Sequence, residues 1–240
     1  MSNHNDRELS LYMAQILDQT DRRADTVELM NHVVDLNPQL TSEERNLLSA
    51  SYKSVISVHR NGLRILSAIS QHEEGVATQH RIEQIKIIRQ TIIDDLEKSC
   101  NELINMINEK LLPVTQDAEA RIFYSKLLAD YYRYMCEART DDKRKEYAEE
   151  AKKCYESALD IAKTELRPFK PASLGLILNY SVFLQEILGD TEAALDLAQK
   201  TYSECTPLIE ENSDNSYSEA TMILQLLRDN ILLWSDNQAK

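Results

Sequence analysis

The stretch "TSEERNLLSASYKSVISVHRNGLRILSAIS" occupies residues 41–70 without a proline and with one glycine, Gly62. Strands in globular proteins run about 3–10 residues, and the apolar positions here recur at helical rather than alternate spacing. The stretch is therefore a helix. Thr41 followed three residues later by Glu44 has the pattern of a capping box, in which each side chain satisfies the other's backbone N–H, and the helix it opens extends to about Gln71.

The rest of the chain follows the same rule. Four glycines and five prolines punctuate 240 residues, and no stretch alternates apolar and polar residues for long. The expected class is all-α, with helices over Arg7–Leu17, Asp21–Leu36, Thr41–Gln71, Arg81–Leu111, Asp117–Ala138, Asp142–Leu166 and Ala172–Leu188, then two more, the last ending near Trp234. Asn37-Pro38 closes the second helix, because a proline forces its predecessor out of helical geometry. Pro113 stops the fourth, "HEEGVATQH" and "ENSDNS" read as loops, and Gly189-Asp190 turns the chain between the seventh and eighth. Short connections favour antiparallel neighbours. No linker is evident, so residues 1–240 are expected to form a single domain of nine antiparallel helices, and no fixed repeat period marks a tandem array.

A net charge of −13, from 40 acidic against 27 basic residues, argues against generic nucleic-acid binding. The lack of a basic amphipathic helix argues against membrane binding, and no run approaches the ~20 apolar residues of a span. Cys100, Cys136, Cys154 and Cys205 form neither C-x-x-C nor zinc-finger spacing, so reduced thiols in cytosol or nucleus are expected. G-x-x-x-x-G-K-[ST], G-x-S-x-G, H-E-x-x-H and G-x-G-x-x-G are all missing. His80 and Glu83 give the reversed spacing of a di-iron Glu-x-x-His motif only once. Neither catalysis, metal nor cofactor is expected.

Against that acidic background, "KLLADYYRY" at 126–134 gathers cations and phenols. At 100° per residue Lys126, Asp130, Arg133 and Glu137 share one stripe, flanked by Tyr134, while Leu127, Leu128, Tyr131, Tyr132 and Met135 lie opposite. On its own this is a solvated face with Lys126–Asp130 and Arg133–Glu137 pairs, each worth about 0.2–0.5 kcal/mol. Lys53 and Arg60 repeat the seven-residue spacing of Lys126 and Arg133, two turns or about 10 Å along an axis. Two such stripes facing one groove converge three or four cations on a dianion such as phosphoserine, with Asp130 and Glu137 orienting them. Asn179, Val182 and Glu186 share a face of the seventh helix, and Ile223, Leu226, Asn230 and Trp234 line up on the ninth. Each asparagine taken alone reads as a structural hydrogen-bonder.

The stretches "LTSEERNLLSASYKSVI", "RIEQI", "FYSKLLADYYRYMCEA", "LGLILNYSVFLQEIL" and "SYSEATMILQLLRDNILLWSDN", in this order, resemble the 14-3-3 proteins over nearly the whole chain. The resemblance implies nine antiparallel helices, dimerisation through residues 1–36, and an amphipathic groove built by residues 41–236. It implies an adaptor without catalytic chemistry, cytoplasmic or nuclear, whose partners are phosphorylated clients and a second subunit, in a homodimer or heterodimer. Carried over by position, Lys53, Arg60, Arg133 and Tyr134 hold the phosphate, with Lys126 beside them and Asp130 and Glu137 in support. Asn179 and Asn230 bond the guest backbone. Leu178, Val182, Met222, Ile223 and Leu226 form the apolar wall, with Glu186 and Trp234 further along. Ile16, Arg22, Ile88 and Asp95 belong to the dimer interface, Arg22 and Asp95 as a charged pair across it. A helical scaffold binding unphosphorylated peptides is the rival reading.

Several positions depart from the family pattern. His59 stands where a second arginine is common, Gly62 replaces a serine whose phosphorylation loosens some dimers, Leu63 replaces a tryptophan, and Ile88 an interface tyrosine. Pro207 falls inside the eighth helix, where it is expected to kink or end it. The chain stops six residues after Trp234, short of the family's acidic tail.

Overall fold

The computed structural model describes residues 2–73, 78–210 and 217–238. Gly75 with its neighbours and the "ENSDNS" segment lie outside them. Among the described residues there are nine α-helices and no strand: α1 Ser2–Gln19, α2 Arg23–Leu36, α3 Ser42–Glu73, α4 Gln79–Met106, α5 Ala118–Ala138, α6 Lys143–Glu165, α7 Pro171–Phe183, α8 Thr191–Glu210 and α9 Tyr217–Gln238. The chain forms two compact units, Met1–Thr115 with Ala138–Thr140, and Gln116–Glu137 with Asp141–Lys240.

In the first unit α1 packs on α2, α2 on α3, and α3 on α4. Met30, Val33, Leu48, Tyr52, Leu96, Cys100 and Leu103 are buried along these helices. Two features fix its geometry. Thr41 and Glu44 form the reciprocal capping box, with the Thr41 N–H donating to Glu44 Oε2 at 2.9 Å and the Glu44 N–H to Thr41 Oγ1 at 3.2 Å. The same Glu44 carboxylate accepts both terminal nitrogens of Arg7, at 2.8 and 2.9 Å, tying α1 to the start of α3. Burial acts to raise the Glu44 pKa, but Arg7 and the Thr41 N–H outweigh it and hold the carboxyl below its ordinary range. At the edge of the unit Arg139 grips Glu97 through two hydrogen bonds of 2.6 and 2.7 Å.

The second helix begins at Arg23 rather than Asp21, because Asp21 takes a left-handed φ of 57° that a helix cannot accommodate. Its carboxylate accepts two hydrogen bonds from Arg23 and steadies the turn. The fourth helix gives way at Ile107–Leu111 to a π-helical turn and at Leu112–Val114 to a 3₁₀ turn. Pro113 has no N–H and its ring would strike a carbonyl one turn back, so the hydrogen-bond ladder changes register before it. Thr115 then satisfies terminal carbonyls, its N–H donating to Leu112 O and its hydroxyl to Leu111 O.

In the second unit α7 packs against α6, α8 and α9, and α8 against α9. Ile122 and Ala129 of α5 join the buried cluster, together with Tyr155, Leu174, Leu176, Phe183, Ala194, Ala198, Leu224 and Leu227. Pro171 occupies the first turn of α7, where its missing N–H costs nothing. A π-helical turn at Leu184–Leu188 follows α7, and Gly189 at φ 68° caps it while the Asp190 N–H returns to Leu184 O at 2.9 Å.

Of the two outcomes expected for Pro207, a kink or an end, the end does not occur: α8 continues past it to Glu210. Cys205 and Ile209 on either side are buried in the core of this unit, so packing holds the last turn in place despite one lost hydrogen bond.

Candidate functional site

The polar stripe of α5 is not a solvated face. Asp130 is 3% exposed and Arg133 8%, so two opposite charges lie inside the second unit on adjacent turns. Burying a carboxylate is tolerated only where donors surround it, and here four residues supply them. Lys126 Nζ donates to Oδ2 at 3.0 Å, the Tyr155 hydroxyl to Oδ1 at 2.6 Å, and Arg133 Nη2 to Oδ1 at 3.4 Å. The Asn179 amide reaches both oxygens, at 2.9 and 2.8 Å. Burial acts to raise the Asp130 pKa, but the charges of Lys126 and Arg133 and the bonds from Tyr155 and Lys126 outweigh it, leaving the carboxyl below its usual range.

Arg133 is held at several points. Its Nε donates to the Tyr155 hydroxyl at 3.4 Å, its Nη2 to Asp130, and its Nη1 to Glu137 Oε1 at 2.8 Å. Tyr134 lays its ring face 4.8 Å from the guanidinium carbon, a cation–π contact, rather than lending only its hydroxyl. Burial works against the guanidinium charge, yet Tyr155, Asp130, Tyr134 and Glu137 more than offset it and the pKa stands above its ordinary value. A cation so fixed loses little side-chain freedom when it grips an anion.

Tyr155 is the member of this network that sequence reasoning missed. It lies on α6, fully buried, and its pKa is raised well above the ordinary phenol value by burial and by the Asp130 charge. No local pattern links residues 25 positions apart. Asn179 on α7 is the structural hydrogen-bonder its mid-helix position suggested, since only its amide nitrogen can face a carboxylate; its own oxygen then remains as an acceptor.

The other site residues fall into distinct settings. Lys53 is exposed and Arg60 half-buried, both on α3 of the first unit. In the second unit Leu178, Val182 and Ile223 are half-buried against the core, Asn230 is half-buried, and Glu186 is exposed on the π-helical turn. Met222 and Leu226 stand open at 66% and 48%. Trp234 is 5% exposed and belongs to the buried cluster of the second unit. Leu233, 58% exposed, shares the face of Met222 and Leu226. Its signal was its spacing, seven residues after Leu226 and eleven after Met222.

Ile16 and Ile88 are exposed, as are Leu9, Tyr12 and Met13 on α1, Val58, Ile65 and Ile69 on α3, and Ile87 on α4. Arg22, just before α2, bonds to Asp25 in its first turn, and Asp95 is exposed. All four cysteines are free thiols, and burial pushes Cys154 up to about 11. Among the described residues no cluster of three or more His, Cys, Asp or Glu side chains is able to hold a metal ion, and no helix is long and apolar enough to cross a membrane.

An all-helical protein with a buried, carboxylate-braced arginine on one helix and open apolar side chains on another belongs to the class of helical binding modules. The family model for the 14-3-3 protein matches residues 13–235, and the chain belongs to the 14-3-3 family. It is 42% identical over 97% of its length to a 14-3-3-like protein, GF14 iota, of Arabidopsis thaliana, covering 87% of that protein. Identity to 14-3-3 protein 7 of Solanum lycopersicum is 40%, over 97% of this chain and 92% of the relative. With 14-3-3 protein 3 of Entamoeba histolytica the figure is 38%, over 97% of both chains. Members of this family are non-enzymatic adaptors that act on protein partners, and the chain is not an enzyme.

Proposed function

We propose that the chain binds phosphoserine or phosphothreonine segments of client proteins and regulates them by docking. Arg133 and Tyr134, joined by Lys53 and Arg60, hold the phosphate, and Lys126 adds charge beside it. Asn179 and Asn230 bond the extended guest backbone. Leu178, Val182, Met222, Ile223, Leu226 and Leu233 cover the apolar flanks, with Glu186 and Trp234 further along the groove. On this reading the nine helices work as one domain, the protein acts in the cytoplasm or nucleus, and two copies or two related chains pair through the N-terminal helices of residues 1–36, with Ile16, Arg22, Ile88 and Asp95 at the interface. Nucleic acid and membrane are not partners.

The observation that carries this reading is the guanidinium of Arg133, 8% exposed and fixed by Asp130, Tyr155 and Glu137 in a chain of the 14-3-3 family. A planar fork held in this way suits phosphate oxygens. Clusters of arginines are a recurrent means of reading phosphorylated motifs.

Calorimetry with a phosphoserine peptide and its unphosphorylated twin tests the proposal. The phosphorylated peptide should bind far more tightly, and Arg133→Ala should cost about 2–5 kcal/mol of binding, as loss of one partner from a desolvated charge pair does. Lys53→Ala, at an exposed position, should weaken binding without disturbing the fold. Equal affinity for both peptides would favour the unphosphorylated-peptide scaffold instead.

A further inference from the structure

The two acids of the α5 stripe have opposite circumstances. Asp130 has 5% of its side chain exposed and is enclosed by donors from three helices, whereas Glu137 is 25% exposed and holds Arg133 from the rim. Glu137 also makes the shortest hydrogen bond that Arg133 has, 2.8 Å against 3.4 Å to each of the two buried partners.

Helix stability does not explain the carboxylate at 137. It lies in the last turn of α5, Ala118–Ala138, where the helix dipole disfavours negative charge. An acid four residues after its basic partner is also the weaker of the two orientations. An incoming phosphate of about −1.5 to −2 charge that seeks the same Nη1 would meet a like charge already there.

We propose that Glu137 is an internal competitor for Arg133: it holds the exposed edge of the guanidinium when no guest is present, and a guest must displace it. This inference rests on the phosphopeptide reading above. A charged guest must displace the competitor and an uncharged one need not, so Glu137 tempers the affinity for phosphorylated segments and leaves that for unphosphorylated ones unchanged. Asp130 has the contrary role, positioning Arg133 from behind without facing the guest.

The test uses the full chain and its Glu137→Gln variant, whose amide oxygen still accepts from Arg133 and keeps it oriented. Three peptides are titrated, carrying phosphoserine, glutamate or serine at one position. Glu137→Gln is expected to bind the phosphoserine peptide about tenfold more tightly, equivalent to about 1.4 kcal/mol, the glutamate peptide about two- to threefold more tightly, and the serine peptide no differently. Glu137→Ala should repeat the order. Unchanged or weakened phosphopeptide binding in both variants would overturn the inference, since a residue that merely positions Arg133 lowers affinity when neutralised. A parent chain that prefers none of the peptides would overturn the inference and the phosphopeptide reading together, whereas a preference without the variants' gain would overturn the inference alone.

Discussion

Replacing Asp130 by asparagine removes one charge and reverses one atom's hydrogen-bonding role while keeping the side chain's shape. In the parent the carboxylate accepts from Lys126, Arg133, Tyr155 and Asn179. An asparagine there has one acceptor oxygen and turns its amide donors toward other donors. Arg133, with 9% of its side chain exposed, loses its buried anion, and breaking such a pair costs about 3–5 kcal/mol. A loss of about 4 kcal/mol is a large share of the roughly 5–15 kcal/mol that holds a typical protein folded. For a chain of this size it lowers Tm on the order of 10 °C. Thermal unfolding followed by helical circular dichroism reads this directly, and pH gives a second check. Because the folded pKa of Asp130 lies below its unfolded value of about 3.9, its contribution is fully present above that pH and is lost as pH falls through the folded pKa. The gap between parent and Asp130→Asn should therefore be widest near neutrality and narrow in acid below about pH 4. A gap under about 1 kcal/mol at pH 7, or one undiminished at the lowest pH at which both fold, would refute the reasoning.

Other consequences follow from the same structure. Glu44→Ala strips both the capping box and the anion that Arg7 grips, and should destabilise the chain by about 3 kcal/mol in urea unfolding at pH 7. Since the folded pKa of Glu44 is also depressed, that cost should shrink as pH falls through it. Pro207→Ala restores a donor inside α8 and should stabilise the chain by about 1–2 kcal/mol, part of the ~3 kcal/mol helix penalty of proline being returned to the less restricted unfolded chain. Ile16→Glu with Ile88→Glu places charges on exposed apolar faces of α1 and α4, and light scattering should show a halved mass at unchanged helicity. Leu233→Asp, on the open face of α9, should weaken phosphopeptide binding about tenfold in calorimetry while Tm stays within a few degrees.

Helices were legible wherever one residue type dictates local geometry. Thr41 and Glu44 announce a reciprocal cap, and Gly189 ends the seventh helix because glycine takes the left-handed turn there without a Cβ penalty. Which of the two outcomes Pro207 would take was not legible for the complementary reason: its penalty is local, whereas burial of Cys205 and Ile209, which offsets it, comes from elsewhere in the fold. The pairs Lys126–Asp130 and Arg133–Glu137 followed from helical spacing alone. Their burial did not, because it depends on α6 and α7, and neither Tyr155 nor the Asn179 amide advertises its partner from 25 or 49 residues away. The depth of Trp234, 5% exposed, was likewise not legible, since a periodic face predicts which residues align but not how far each is buried.

The saturation of Asp130 bears on timing. A carboxylate offers about four acceptor sites, and internal donors already take them all. On the proposed reading a guest thus meets an Arg133 already braced by contacts made within the fold. The pace of any response is then governed by the chemistry that charges or discharges the guest, and by how fast a small acid at the rim swings aside, rather than by rearrangement of the helices.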